Sequence, residues 1–299
     1  MGECKHSLVS GKSLLSLLSF AASCRWILLL PLLVATQTRA DGPNKANEPQ
    51  SNGQSFQVHS FDGGPQTDDV HALCDSLRTN LGRAWTGPQP LAVWQPQCEI
   101  RLHQNRSSYV RAVGIAGQQT QGCSLIRLQD GKVTARKIDL LVDSHGDLPA
   151  LPHELTHVIL ADCFGGHQPP HWFDEGAAML ADTVHKQSLH ARDCQHALRS
   201  GTAMPIAQVL RLEQFTSSNQ MASFYGQSAS LLRFFCGRGD IERVTRFAID
   251  TLDADYEQSL QKHYGIASEQ ELQRLWKQEA FNQGKTLEPS ALLTVRYRP

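Results

Sequence analysis

The chain lacks an excess of charge of either sign. Its 28 Lys and Arg nearly balance 29 Asp and Glu, leaving a net −1. The cations are dispersed rather than gathered into a basic patch, which argues against a nucleic-acid partner. There is no internal repeat, so a stacked-repeat array is excluded. No two cysteines stand in a Cys-x-x-Cys pair, which excludes a cysteine zinc ribbon. Apolar runs are short: the run from Trp26 to Val34 is about nine residues, too few to cross the ~30 Å bilayer core as a helix.

That run belongs to an N-terminal export signal. Lys5 and Lys12 precede Leu14–Leu18, Arg25 precedes the apolar core, and Thr38-Arg39-Ala40 supplies a small-x-small cleavage site before Asp41. The longer window from Leu14 to Ala35 has the length to span, but Arg25 and several Ser and Cys positions weaken it, so cleavage is favoured over an uncleaved anchor. The expected location is therefore outside the cytoplasm: secreted, periplasmic or at the cell surface. An uncleaved anchor would be the only membrane contact. Residues 41–54 are rich in Asn, Gln, Gly, Pro and Ser and read as a flexible linker. The remaining span, 55–285, suffices for one good-sized or compact two-lobed domain, with a tail over 286–299.

Six cysteines lie beyond the signal: Cys74, Cys98, Cys123, Cys163, Cys194 and Cys236. An even count in an exported chain is compatible with disulfides; the alternative is that they are small buried hydrophobes. If they bridge, Cys98 with Cys123 would staple neighbouring strands, and Cys163 with Cys194 would tie the central helices to the chain beyond them.

Chemistry concentrates in Pro152-His153-Glu154-Leu155-Thr156-His157, which runs into Val158-Ile159-Leu160. On a helix, residues four apart share a face, so His153 and His157 can aim two imidazoles at one ion with Glu154 beside its water. Two imidazoles and a carboxylate form a first shell for catalytic zinc with one position left for water. A second stretch, His171-Trp172-Phe173-Asp174-Glu175-Gly176-Ala177-Ala178, places Glu175 eighteen positions beyond His157. The gap allows a turn through Gly165-Gly166 and Pro169-Pro170 and a returning helix. Asp162 and Asp174 are rival third ligands, while His167 and His171 read as solvent-facing or as part of a cleft rim.

Together the two stretches resemble the signature of gluzincin zinc metallopeptidases, HExxH plus a downstream W-x-x-E-G-x-A helix. Trp172, Glu175, Gly176 and Ala178 match its second part. The likeness extends to the small peptidase MA-like domains of exported bacterial proteins. It is specific across 150–180 and looser across about 55–285. It implies that His153, His157 and Glu175 are zinc ligands and that Glu154 is the general base. The metzincin pattern is excluded, because Leu160 and Cys163 stand where it needs Gly and His. No Gly-x-Met-Glu-Asn precedes the helix, which departs from the aminopeptidases of this clan and leaves endopeptidase as the expectation.

The rest of the chain is read more coarsely. Phe56–His59 alternates as a first strand, and Thr67 or Asp68 would cap a helix through Val70, Leu73, Leu77 and Leu81. Leu91–Trp94 and Cys98–Leu102 read as strands around Pro96. Ser124–Leu128 and Lys132–Val142 form a hairpin about Asp130-Gly131. The resemblance implies that the strand leading into the metal helix is the sheet edge where extended peptide pairs, against the alternative of a plain structural hairpin. His185, His190 and His196 read as exposed. Helices are expected at Ile206–Leu210, Phe224–Phe235, Ile241–Leu252 and Glu269–Phe281. Gluzincins place a Tyr or His from a later helix opposite the metal; Tyr225, with Gln227 or Ser228 orienting its hydroxyl, resembles that donor.

The expected architecture is α+β and zincin-like: an N-terminal mixed α/β lobe with a small sheet (about 55–150), a C-terminal helical lobe (151–285), and an active-site cleft between them. The expected function is zinc-dependent hydrolysis of peptide bonds in an extracytoplasmic protein or peptide. Two other classes compete: a catalytically inactive zincin-fold binding module, and an exported structural protein with a coincidental HExxH. The sequence leaves oligomeric state open.

Overall fold

The computed structural model describes residues 54–283. The expected signal, nearly all of the linker and the tail lie outside the described residues. Within them the fold is α+β: a four-stranded sheet comes from the first half, and from Leu151 onward the chain is helical.

The strands are β1 (Phe56–His59), β2 (Cys98–His103), β3 (Gly122–Gln129) and β4 (Lys132–Leu141), in spatial order β1-β2-β4-β3. β1, β2 and β4 run parallel, and β3 lies antiparallel to β4. The β3–β4 hairpin closes through Asp130 and Gly131 with φ of 50° and 70°, the two left-handed residues that such a two-residue turn demands. The expected hairpin is thus present. It is β3, however, that forms an edge, as β1 does on the other side; β4, which leads into the helix bearing His153 and His157, is interior. A strand after a tight hairpin can pair on both sides, and β2 occupies the second side.

Alternation divides the sheet. Cys98, Ile100, Leu102, Ile126, Ile138 and Leu140 join the main core on one face. Cys123 and Leu141 face the other way and cluster with Tyr109 and Val113 of α2 (Arg106–Val113), a helix that the sequence reading did not anticipate. Helix α1 (Thr67–Thr86) buries Val70, Cys74, Leu77, Leu81 and Trp85, a helical spacing of three and four. Its cap position is Gln66, which makes no side-chain capping bond. Thr67 and Asp68 fall in the first turn, where Asp68 and Asp69 favour the positive helix end. Leu91–Trp94 is not a strand. Trp94 is instead packed by its ring, with the Arg78 guanidinium 4.3 Å and that of Arg136 5.2 Å from its centroid, and its indole donates to Asp162.

The helical half holds α3 (Leu151–Cys163), α4 (His171–Leu180), α5 (Val184–Ser200), α6 (Ile206–Arg211), α7 (Ser218–Cys236), α8 (Ile241–Asp250), α9 (Tyr256–Tyr264) and α10 (Glu269–Gln283). Three of these differ from expectation. α5 is a full helix where a polar stretch was expected, α9 was not anticipated, and α7 starts at Ser218, capped by the Ser217 hydroxyl. One core runs through both halves along an aromatic line. Trp85 of α1 meets Phe173 of α4 at 5.7 Å, Trp172 meets Phe235 of α7 at 5.8 Å, and Phe235 meets Phe247 of α8 at 5.0 Å. No described helix is long and apolar enough to cross a membrane.

The expected cysteine pairings do not form: Cys74, Cys98, Cys163, Cys194 and Cys236 are free thiols. Burial pushes the thiols of Cys74, Cys163 and Cys236 up to about 12 and that of Cys194 to about 11, which makes them small hydrophobes rather than nucleophiles.

Helices α4, α5 and α7 meet through glycine. A Cβ on Gly176 would come 2.9 Å from the Ser228 carbonyl oxygen, and one on Gly226 would come 2.7 Å from the Cys194 backbone nitrogen. Gly176→Ala and Gly226→Ala should each cost about 1–3 kcal/mol by forcing backbones apart. Urea unfolding checks this; a midpoint equal to that of the natural chain would show that the crossings are slack.

Candidate metal centre

Helix α3 is buried on every side: each residue from Leu151 to Ala161 lies inside the protein. An apolar surround of this kind fixes a helix by packing rather than by caps. Its cap position, Ala150, offers no side chain, and Pro152 sits in the first turn, where its missing N–H costs nothing. His153 and His157 stack along one face with ring centroids 5.0 Å apart. The chain then turns through Gly165 and Gly166, both left-handed, and α4 returns with Glu175 in its second turn.

The return brings one nitrogen from each histidine and one Glu175 oxygen within 4.8 Å of one another, all three residues being buried. Glu175 Oε2 lies 3.9 Å from His153 Nε2. Two ligands held at ~2.0–2.1 Å on a tetrahedral ion stand ~3.3 Å apart, so the three atoms would draw together by up to about 1.5 Å to close on a metal. His153, His157 and Glu175 could therefore hold a metal ion.

Each histidine is backed from behind by a carboxylate. His153 Nδ1 lies 3.1 Å from Asp182 Oδ2, and His157 Nδ1 lies 3.0 Å from Asp174 Oδ1. The Asp182 contact is a hydrogen bond of the kind that fixes the tautomer leaving Nε2 toward an ion and strengthens it as a ligand; the Asp174 contact sets a buried carboxylate beside the His157 ring. Asp182 is itself held in place. Gln187 donates to its backbone carbonyl at 2.9 Å, Lys186 Nζ stands 3.4 Å from Oδ1, and His190 Nε2 stands 3.8 Å from Oδ2. Burial alone would raise the Asp182 carboxyl, but His153 and Lys186 outweigh it and hold it well below the usual range. Burial would likewise lower His153, yet Asp182 overrides it and raises the imidazole to about 9.

Glu154 stands in the first turn of α3 and is buried, with Oε2 making no hydrogen bond among the described residues. Burial raises its carboxyl, partly offset by His153, Ser124 and Lys186. His171 is neither exposed nor a member of the triad. Its Nδ1 lies 2.9 Å from the Leu212 carbonyl, its Nε2 is 3.8 Å from Glu175 Oε1, and its ring leans on Phe224 at 4.7 Å. His167 is exposed, as expected. Asp162 is drawn away from the site by Arg136 and Trp94.

Tyr225 is buried in the second turn of α7, not at the helix start. It packs edge-on to Phe215 at 5.5 Å and against Phe224 at 5.9 Å. It immediately precedes Gly226, where α7 crosses α5, and lies three residues before Ser228, where α7 crosses α4. Gln227 does not orient it: the Gln227 amide bonds the Met204 backbone at 2.8 and 2.9 Å and takes the Ser223 hydroxyl at 2.9 Å. The sequence reading missed Asp182, read as exposed a His190 that is in fact partly buried beside Asp182, and weighed Asp174 only as a ligand. The available signal was that Asp174 precedes Glu175 and that Asp182 stands in the short connection between α4 and α5.

Against known proteins, the chain matches no family model and no curated protein sequence.

Two measurements test the centre. Glu175→Ala should abolish stoichiometric metal, whereas Asp182→Asn and Asp174→Asn should weaken affinity about 10–100-fold without unfolding the chain. A metal must also displace the His153 proton, so apparent affinity should climb with pH toward about 9. Chelator competition across a pH series from mildly acidic to mildly basic reads both effects; a pH-independent affinity would remove His153 from the ligand set.

Proposed function

We propose that this chain is a zinc-dependent hydrolase of peptide bonds in an extracytoplasmic protein or peptide, a gluzincin-like endopeptidase. The observation that carries this reading is Glu154: a buried carboxylate next to a His–His–Glu group that could hold a metal ion, with an oxygen that no described residue satisfies. A purely structural metal site has no use for such a base, and leaving a buried acceptor unsatisfied costs stability, a cost that a role in a reaction accounts for. The donor set favours zinc, since two imidazoles and one carboxylate suit that ion and leave a position for water.

When bound, zinc supplies Lewis-acid chemistry and lowers the pKa of its water toward ~7. The remaining work falls to the chain. Glu154 accepts the proton of the attacking water and returns it to the leaving nitrogen. His153 and His157, held by Asp182 and Asp174, keep the ion in one place. The hydroxyl of Tyr225 donates to the developing oxyanion from α7. Substrate binds as an extended strand on the free edge of β3, whose first residues lie beside Glu154. The absence of an upstream Gly-x-Met-Glu-Asn supports internal cleavage over removal of an N-terminal residue.

The competing reading, an inactive binding module, keeps the metal and loses turnover. Purified protein lacking residues 1–40, reconstituted with zinc and incubated with an unfolded protein, separates the two: cleavage is expected, and its absence at full zinc occupancy would overturn the enzyme reading. Glu154→Gln should retain zinc and lose on the order of 10²-fold or more in rate. Tyr225→Phe should lose about 2.7–4 kcal/mol of transition-state stabilisation with zinc retained. An unaltered rate in that variant returns Tyr225 to the helix packing it shares with Phe215 and Phe224.

A further inference from the structure

Strand β3 touches the metal centre at one point. Alternation puts Gly122, Ser124 and Ile126 on the face toward α3, and Cys123 on the opposite face with Tyr109 and Val113. A Cβ on Gly122 would lie 2.6 Å from Glu154 Cγ, 2.7 Å from Glu154 Oε1 and 2.8 Å from Ala150 Cβ. Gly122 is not among the left-handed glycines, so its backbone conformation makes no demand for glycine. Glycine within a strand weakens it, and what it provides here is space for another group to approach. The group that fills this space is the Glu154 side chain. Two residues on, Ser124 is fully buried on the same face, and its Oγ has no hydrogen bond of ordinary geometry among the described residues.

We propose that the edge strand β3 positions the Glu154 carboxylate: Gly122 opens the slot that receives Oε1, and the buried Ser124 walls the same face of the strand, leaving Oε2 as the oxygen that accepts the proton. The inference rests on the reading of Glu154 as the general base. Gly122 and Ser124 are positioning residues: neither need touch substrate or metal. The strand proposed to hold the peptide then also fixes the base, so substrate and base share one rigid reference.

The test combines rate, metal content and stability. In zinc-loaded protein, Gly122→Ala should keep stoichiometric zinc and KM while kcat falls about 10–100-fold, the cost of displacing a catalytic group by about 1 Å. Ser124→Ala, which carries little folding risk, should give a smaller fall of the same kind. Adding either change to Glu154→Gln should lower the residual rate no further; an additive loss, or full activity in Gly122→Ala, overturns the proposal. Thermal unfolding without metal gives a readout independent of activity: Gly122→Ala should lower Tm clearly in the natural chain and less in Glu154→Ala, where Cγ and Oε1 are gone. Equal losses in the two backgrounds would show that Glu154 does not occupy the slot. If the natural chain neither holds zinc nor cleaves protein, the peptidase reading fails and the catalytic part of this proposal with it, while the Tm coupling still decides whether the slot exists.

Discussion

The structure depends on how it keeps a cluster of charge inside a close-packed core. Four carboxylates, Glu154, Asp174, Glu175 and Asp182, are buried around two buried imidazoles, with Lys186 as the nearest compensating ammonium. Buried charge of one sign is expensive unless it is paired and hydrogen-bonded. Without a metal the chain responds by protonation: His153 is raised to about 9, and burial raises Glu154. A divalent cation between the imidazoles and Glu175 would replace that proton with two charges among these carboxylates. The charge imbalance thus points toward a cation at the same triad that the geometry selects.

Holding such a cluster also requires backbones to come close, and glycine serves that need. Gly176 lets α7 reach α4, Gly226 lets α5 reach α7, and Gly122 lets Glu154 fit under β3. None of the three is in a left-handed conformation. Their common feature is therefore volume rather than chain reversal. The Gly of the Trp-x-x-Glu-Gly stretch has a direct physical reading here: the residue after Glu175 is where a neighbouring helix presses its Ser228 carbonyl.

This explains which features the sequence displayed. The triad was legible because its spacing is local: i and i+4 on a single helix, then a turn and a carboxylate early in the returning helix. The hairpin was legible because Asp130-Gly131 has few other uses. The edge assignment was not, because which strand ends a sheet depends on β2 pairing with β4 across more than thirty residues. Asp182 and Gly122 were hidden for the same reason: their partners are distant in the chain, and neither residue type signals its role alone. α5 was masked by its composition, since it has only four buried positions, Gln187, Cys194, Ala197 and Leu198, and reads as polar. The cysteines suggested bridges only because the chain reads as exported; Cys74, Cys98, Cys163, Cys194 and Cys236 stand instead as free thiols.

The same arrangement accounts for how a catalytic carboxylate and its ligands would stay in register without caps on their helices. α3 has no side-chain cap and α4 begins on Pro170, so neither end is fixed by capping bonds. Both helices are instead buried along nearly their whole length, and Phe173 of α4 is packed from two sides by Trp85 and Phe164 at 5.7 and 5.4 Å. Side chains in such a core sit in single rotamers, because a close-packed surround leaves no alternative volume. Rigidity at the site is then inherited from the hydrophobic core, and the polar groups around it, Asp174, Asp182, Ser124 and Gln187, only choose among orientations that the packing already permits. A site built this way tolerates little change in helix spacing, which is why the residues at its crossings are the smallest ones available.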